Sequence, residues 1–216
     1  MILEGKNLTF SYGGKKAAPV LDQVDISIGS GERVGLKGHS GRGKTTLCRL
    51  LAGYEKPRNG EVLLDGKPLS SFSGPCPVQM VWQHPELWVN PKLKMRQHPE
   101  MVVDPLLPLG VSLGEATPPD PNLISALHIR EGWLTRYPSE LSGGELQRFC
   151  LARALHPSVK FLLCDEITAM LDLVTQAQIW EFLLHEAKRR DLGLLVVSHN
   201  DALLERVCTR IVTLEN

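Results

Sequence analysis

The string GHSGRGKTT, Gly38 to Thr46, restricts the folds open to this chain more than any other stretch. Gly38, Gly43, Lys44 and Thr45 fill the pattern G-x-x-x-x-G-K-[ST]. The string follows ERVGLK, which reads as a short strand. It leads into TLCRLLAG, where Leu47, Leu50 and Leu51 have helical spacing and Gly53 marks a stop. A strand, a glycine-rich loop and a helix in that order turn backbone N–H groups inward around an anion, with the positive end of the helix behind them. Gly38, His39, Ser40, Gly41, Arg42, Gly43 and Thr46 make up the cradle. Lys44 adds a mobile positive charge, and the Thr45 hydroxyl is placed to ligate Mg2+. The expected ligand is a nucleoside triphosphate.

Such a loop needs a partner strand whose C-terminal end delivers an acid toward the metal. KFLLCDE does so, with four apolar residues from Phe161 to Cys164 and then Asp165 and Glu166. Asp165 is expected to act through the water shell of the ion, and Glu166 as general base for the attacking water. Two adjacent carboxylates ending an apolar strand are hard to read as solvated decoration. His199 ends the next apolar strand, LLVVSH, where a neutral imidazole could reach a γ-phosphate or a water. Gln83 ends the strand PVQMVWQ. Taken singly, His199 and Gln83 suit core hydrogen bonding as well as function.

The rest of the chain continues an α/β rhythm. LTFSY, VLDQVDISI and GEVLLDG read as strands near the N-terminus, and RIVTLE as a last strand. VTQAQIWEFLLHEAKRR reads as a long amphipathic helix with Val174, Ala177, Trp180 and Leu184 on its apolar stripe, and DALLERV as a short one. Continuous apolar strands alternating with helices imply a mostly parallel sheet covered on both faces. Nine of the fifteen prolines fall between Pro85 and Pro138, where periodicity is weak apart from an expected helix in PNLISALHIREGWL. That shift in composition marks an inserted lobe.

Composition excludes several classes. The formal net charge is zero, which favours neither nucleic acid nor an acidic membrane surface. KRR at 188–190 is the tightest basic group and reads as a solvated helix end. Cys48, Cys76, Cys150, Cys164 and Cys208 have no zinc-ligand spacing and read as reduced thiols of a cytoplasmic protein. The opening MILEGKNLTFSY has no features of a secretory leader, and no apolar run nears the roughly 18 residues of a membrane span.

One stretch remains: LSGGELQR, Leu141 to Arg148, which sets Ser142, Gly143 and Gly144 at the start of a predicted helix. This is a second place for an anion. Ser142 and Glu145 also have the spacing of a capping box, which leaves the two glycines unexplained.

In chain order the features are Tyr12 in FSYGG, GHSGRGKTT, Gln83, LSGGELQR, FLLCDE, Asp172 in MLD, and His199. That series resembles the nucleotide-binding subunits of ATP-binding cassette (ABC) transporters over essentially the whole chain, with LSGGELQR as the signature sequence. The resemblance implies an α/β fold: a P-loop NTPase core with a mostly parallel sheet, an N-terminal antiparallel β region and an inserted helical subdomain. The core would take residues 1–84 and 155–216 and the insert residues 85–154. ATP and Mg2+ are the implied cofactors. Tyr12 would stack on adenine, and Gln83 would join Thr45 and Asp165 at the metal and couple it to the insert. Glu166 would be the catalytic base, and His199 would position water and γ-phosphate. Two cassettes would pack head to tail, so that Ser142, Gly143 and Gly144 meet the nucleotide of the partner and Asp172 bridges the pair. The implied partners are a second ABC ATPase subunit, identical or related, and transmembrane permease subunits, with a substrate-binding protein engaged indirectly. The implied place is the cytoplasmic face of the cell membrane, through the permease.

Within that family YPSELSGGELQRFCLARAL, TAMLDLVTQAQI and QHPELWVNP resemble the oligopeptide, dipeptide and nickel importer group. The chain stops at Asn216 without the C-terminal extension common in the group, which favours a compact nickel or metal-chelate subunit over a dipeptide one. It departs from the family at Ile167, where proline is usual, at His84, where an acid is common, and at Met170. The alternative is a soluble ABC ATPase without a membrane partner, but those usually carry a coiled-coil insert or two cassettes in one chain. Glu166 and His199 argue against a cassette that binds ATP without hydrolysing it.

Overall fold

Parallel strands order the molecule. The computed structural model describes residues 1–13, 17–72, 76–97 and 121–214. Among these, β1 (Ile2–Phe10), β2 (Leu21–Gly29), β4 (Asn59–Leu64) and the short β5 (Lys67–Pro68) form an antiparallel sheet in the order β2-β1-β4-β5. Strands β3 (Arg33–Lys37), β6 (Val78–Val81), β7 (Phe161–Asp165), β8 (Gly193–Val197) and β9 (Arg210–Thr213) form a parallel sheet in the order β6-β7-β8-β3-β9. The sequence-based expectation of a mostly parallel sheet beside an N-terminal antiparallel region holds, with β5 added as a hairpin partner of β4.

Every residue of β7 and β8 is buried, as continuous apolar runs require when both faces are covered. The strand period of two divides them between two cores. Leu162, Cys164, Leu194 and Val196 pack with the buried sides of α3 (Gly143–Ala154) and α4 (Leu173–Arg190). Phe161, Leu163, Leu195 and Val197 pack with α1 (Lys44–Leu51) and with Leu3, Leu8, Ile26 and Ile28 of the antiparallel sheet. Each such side chain stabilises the fold by about 1.5–3 kcal/mol through burial. Phe161→Ala, at a fully buried position, would cost about 3–5 kcal/mol.

A parallel sheet also collects its C-terminal ends on one edge. Gln83 follows β6, Asp165 and Glu166 end β7, His199 follows β8, and the glycine-rich loop follows β3. Since β6, β7, β8 and β3 are consecutive neighbours, these four elements lie side by side.

Two helix readings are refined. The helix expected in PNLISALHIREGWL is α2 (Pro121–Ala126), which is short and ends after six residues. His128 takes a left-handed φ of 52°, the Ile129 amide donates to Ile124 O at 3.0 Å, and the His128 amide donates to Ser125 O at 2.9 Å. That pair of bonds closes a Schellman stop, and only a short 3-10 turn, Glu131–Trp133, follows. In α4 the stripe is displaced from that predicted. Val174 is 67% exposed, and Ala177 is exposed, while Ile179, Trp180, Leu183 and Ala187 are buried. Leu173, at the start of α4, is 80% exposed as well, so the buried face of the helix begins only further along.

The basic end of α4 is more than a solvated tip. Arg190 donates from Nη1 to Leu155 O at 2.8 Å and from Nη2 to His156 O at 2.7 Å. It thus caps the C-terminal carbonyls after α3 as well as meeting the negative end of its own helix. Arg189 binds Glu186 in a bidentate pair at 2.9 and 2.7 Å. Residues 98–120 of the expected insert lie outside the described residues.

Candidate active site

The loop after β3 is built for an anion by what it lacks. Gly43, the residue before α1, has φ 88°, and a Cβ there would lie 2.8 Å from Leu21 Cδ2 and 3.0 Å from Val20 O. Any side chain would force the loop open. No side chain caps α1, so its leading N–H groups remain directed at the loop. Lys44 is 6% exposed, and its Nζ donates to Gly38 O at 2.7 Å and His39 O at 3.1 Å. An ammonium buried to this degree needs such acceptors. His39, Ser40, Gly41 and Arg42 are exposed. An open cleft of about 710 Å3 runs between loop residues Gly38, His39, Ser40 and Arg42 and the opposite wall of Ser198 and His199. Tyr12 meets the first turn of α1, its hydroxyl 3.2 Å from Thr46 Oγ1 and its ring edge-on to Phe10 at 4.8 Å. The tyrosine face is half exposed.

Next to the loop, the strand ends bring three predicted side chains together. Glu166 Oε1 lies 3.0 Å from His199 Nε2, and Gln83 Nε2 donates to Glu166 Oε2 at 3.4 Å. The imidazole makes the first contact as the donor, from Nε2–H to the carboxylate oxygen. The carboxylate is therefore held from both sides, although Gln83, Glu166 and His199 are far apart in the chain. The Glu166 backbone takes a φ of 51°, a left-handed conformation that a non-glycine residue adopts at an energetic cost. Asp165 is 4% exposed. Burial pushes its carboxyl above the ordinary range, against the Thr45 hydrogen bond that lowers it; Glu166 raises it further and Lys44 and Arg49 lower it. A hydrogen bond thus joins Thr45 and Asp165, which the sequence placed at one metal, with Asp165 acting through its water shell.

LSGGELQR sits elsewhere. Ser142 caps α3, with the Glu145 amide donating to Ser142 Oγ at 3.3 Å and the Ser142 amide to Glu145 Oε2 at 2.8 Å. The capping box is real. Gly143 faces open space, whereas a Cβ on Gly144 would come 3.3 Å from Thr175 Cγ2. None of Ser142, Gly143 and Gly144 lines the cleft between the loop and His199, and neither does Asp172. Asp172 caps α4 by accepting from the Val174 and Thr175 amides, each at 3.0 Å. Those bonds, the Thr175 amide first, hold its carboxyl below the ordinary range.

Several residues that matter here escaped single-residue reading. Gln147 Nε2 donates to Trp82 O at 3.3 Å and ties α3 to the residue before Gln83. Arg148 is buried and joins Leu127 O at 2.9 Å to Gln178 Oε1 at 2.8 Å, linking α2 to α4. Around Gln83 an aromatic knot forms. Trp82 and Trp88 stack at 3.9 Å with planes 9° apart, Tyr54 meets Trp82 edge-on at 5.2 Å, and Arg49 lies 5.1 Å over Trp82. Such aromatic pairs contribute about 0.5–1.5 kcal/mol each beyond burial. The only sequence signal was the unusual density of aromatics in VWQHPELW.

Comparison with known proteins supports the same reading. The family model for ABC transporters matches residues 21–169. The nickel import ATP-binding protein NikE of Escherichia coli (strain K12) is 34% identical over 226 residues, covering 99% of this chain and 83% of that protein. NikE of Rhodospirillum rubrum is 35% identical over 209 residues, covering 94% of this chain and 75% of its own length. Among solved structures, the dimeric post-hydrolysis state of the ATP-binding cassette MJ0796 bound to ADP and Pi superposes with a TM-score of 0.79. It is 26% identical and covers 99% of this chain and 94% of that one. Phosphate loop, paired carboxylates, signature string and whole-chain similarity agree, and the chain belongs to the ABC transporter family as an ATPase.

Proposed function

We propose that this chain is the nucleotide-binding subunit that powers an ABC importer, with nickel, a metal chelate or peptides as cargo. The observation that carries the ATPase half is the clasp of Glu166 between Gln83 and His199 beside the glycine-rich loop. Import rests on similarity to the NikE proteins, whose names give nickel as their cargo.

The loop cradles the phosphates of ATP through its backbone, Lys44 adds charge, and Tyr12 presents its exposed face to adenine. Glu166 takes a proton from the attacking water, while His199 and Gln83 keep its carboxylate aimed. The all-oxygen set of Thr45, Asp165 and Gln83 suits Mg2+, and the buried Asp165 carboxylate beside a hydroxyl favours a cation there. The ion supplies neutralisation of phosphate charge. Ser142, Gly143 and Gly144 serve the nucleotide of a second cassette, and Asp172 bridges to it. The dimeric state of the solved relative supports that reading. Residues 85–154 form the subdomain that meets permease subunits. Among the described residues no helix is long and apolar enough to cross a membrane, so such permease subunits would hold the chain at the inner face.

The test is turnover with the permease present: Glu166→Gln should bind ATP as wild type does but hydrolyse it at least a hundredfold more slowly. Equal inactivity of both proteins with all candidate partners would overturn the enzyme role. Copurification with a multi-spanning protein supports transport, and its absence from solubilised membranes favours a soluble ATPase.

A further inference from the structure

Immediately after the general base, this chain lacks the proline found in its family. Proline would fix its own φ and restrict the residue before it, so its absence leaves the Glu166–Ile167 backbone freer. Yet Glu166 is held at φ 51°, which calls for restraint from the surroundings. Backbone bonds give part of it: the Glu166 amide donates to Val197 O at 3.1 Å, and the Ala169 amide to Glu166 O at 3.1 Å. Ile167 is buried in the core on one side. The turn also borders an open pocket of about 400 Å3 lined in part by Glu166, Thr168, Gln176, Trp180 and His199, which leaves one side of it unpacked.

Thr168 fills the gap. It is 3% exposed, and its Oγ1 accepts from both Gln176 Nε2 at 2.9 Å and Trp180 Nε1 at 3.0 Å. Both donors belong to α4, one helical turn apart, and a hydroxyl has two acceptor positions for them. Asp172 caps the same helix, so the turn from 168 to 172 is tied to α4 at both ends. We propose that Thr168 is a positioning residue for Glu166, its hydroxyl fastening to α4 the turn that follows the carboxylate. The inference rests on the reading of Glu166 as general base.

Steady-state ATPase kinetics of the chain with its partners test it, with nucleotide affinity measured alongside. Thr168→Val keeps the shape and removes the acceptor; kcat should fall about tenfold while KM for ATP and nucleotide affinity stay within about twofold. Thr168→Ser restores the hydroxyl and should recover most of kcat. Trp180→Phe removes one donor and should cost about threefold in kcat. Combined with Thr168→Val it should add nothing, because both act through one contact. Wild-type turnover in Thr168→Val, or parallel loss of nucleotide affinity, overturns the proposal. If Thr168→Val does not fold, unchanged kcat in Trp180→Phe overturns it instead. Glu166→Gln separates the two claims: a turnover near wild type there defeats the general-base reading, whereas an inactive Glu166→Gln beside a fully active Thr168→Val defeats only the positioning role.

Discussion

Among the described residues, α1 follows a glycine and α3 opens on two, yet they treat their leading N–H groups in opposite ways. At α1 no side chain caps the helix, Gly43 stands in a left-handed conformation, and a lysine folds back onto the loop carbonyls. At α3 a serine and a glutamate cap each other's backbone, and the glycine that follows faces open space. The first end has unsatisfied donors and a cation at hand, so it can hold a polyphosphate alone. The second has part of its hydrogen-bonding capacity already satisfied and no cation among its first residues. It can complete a site that another surface begins, and it is a poor site by itself.

The largest effect that would break this contrast is at α1. Lys44→Met removes a charge that would face the phosphates, and ATP affinity of the isolated chain should fall about a hundredfold in a calorimetric titration. A comparable fall from a change at α3 would mean that both ends serve one nucleotide in the same chain. Gly143→Trp is the matching probe, cleaner than any change at Gly144, where even a Cβ would press on Thr175. It should leave ATP affinity of the lone chain within about twofold. ATP-dependent dimerisation, read by light scattering, and turnover should fall at least tenfold, since a bulky residue would bar the partner.

A smaller effect sharpens what the α1 side gives up for its function. Asp165 is buried, and its carboxyl titrates higher in the folded chain than in the unfolded one. Between the ordinary carboxyl range and the folded value, the unfolded chain releases a proton that the folded chain keeps. Raising pH through that window therefore favours unfolding, and the penalty is constant above it. Asp165→Asn should raise the melting temperature of the nucleotide-free chain by a few degrees at neutral pH. The gain should shrink as pH falls through the ordinary carboxyl range and vanish below about pH 3, where wild type is protonated in both states. Turnover should be lost at every pH. A melting temperature that falls at neutral pH would show that ionised Asp165 stabilises the fold instead.

Much of this was legible because burial leaves a mark on local pattern. FLLCD and GLLVV are covered on both faces, so they read as strands without ambiguity, and the residues just past them fall on the functional edge. Helix readings fell short where the pattern depends on distant structure. Val174 and Ala177 have the spacing of core residues, yet both are exposed. His128 gives no local warning of the left-handed turn that stops α2. The bonds of Gln147 to Trp82 and of Arg148 to Gln178 join residues tens of positions apart, which no spacing rule foresees. Ile167 was visible as a departure. Its consequence depends on Thr168 and Trp180 meeting across α4, and that needs coordinates.

The smallest expected effect concerns Ser142, whose cap and whose proposed contact with a partner's nucleotide can be separated. Removing a serine N-cap in favour of alanine costs about 1 kcal/mol, which in a chain of this size lowers the melting temperature by about 2–4 °C. Glycine at the same position costs only a few tenths of a kcal/mol, because the N-cap backbone can then be solvated. Both replacements delete the hydroxyl. If that hydroxyl binds the γ-phosphate of a partner's ATP, Ser142→Ala and Ser142→Gly should lose turnover equally while differing in thermal stability. If its role ends with the cap, Ser142→Gly should keep turnover close to wild type. In that case the contrast between the two helices would rest on the backbone N–H groups of Gly143 and Gly144 alone. Differential scanning fluorimetry and steady-state turnover on the two variants decide between these outcomes.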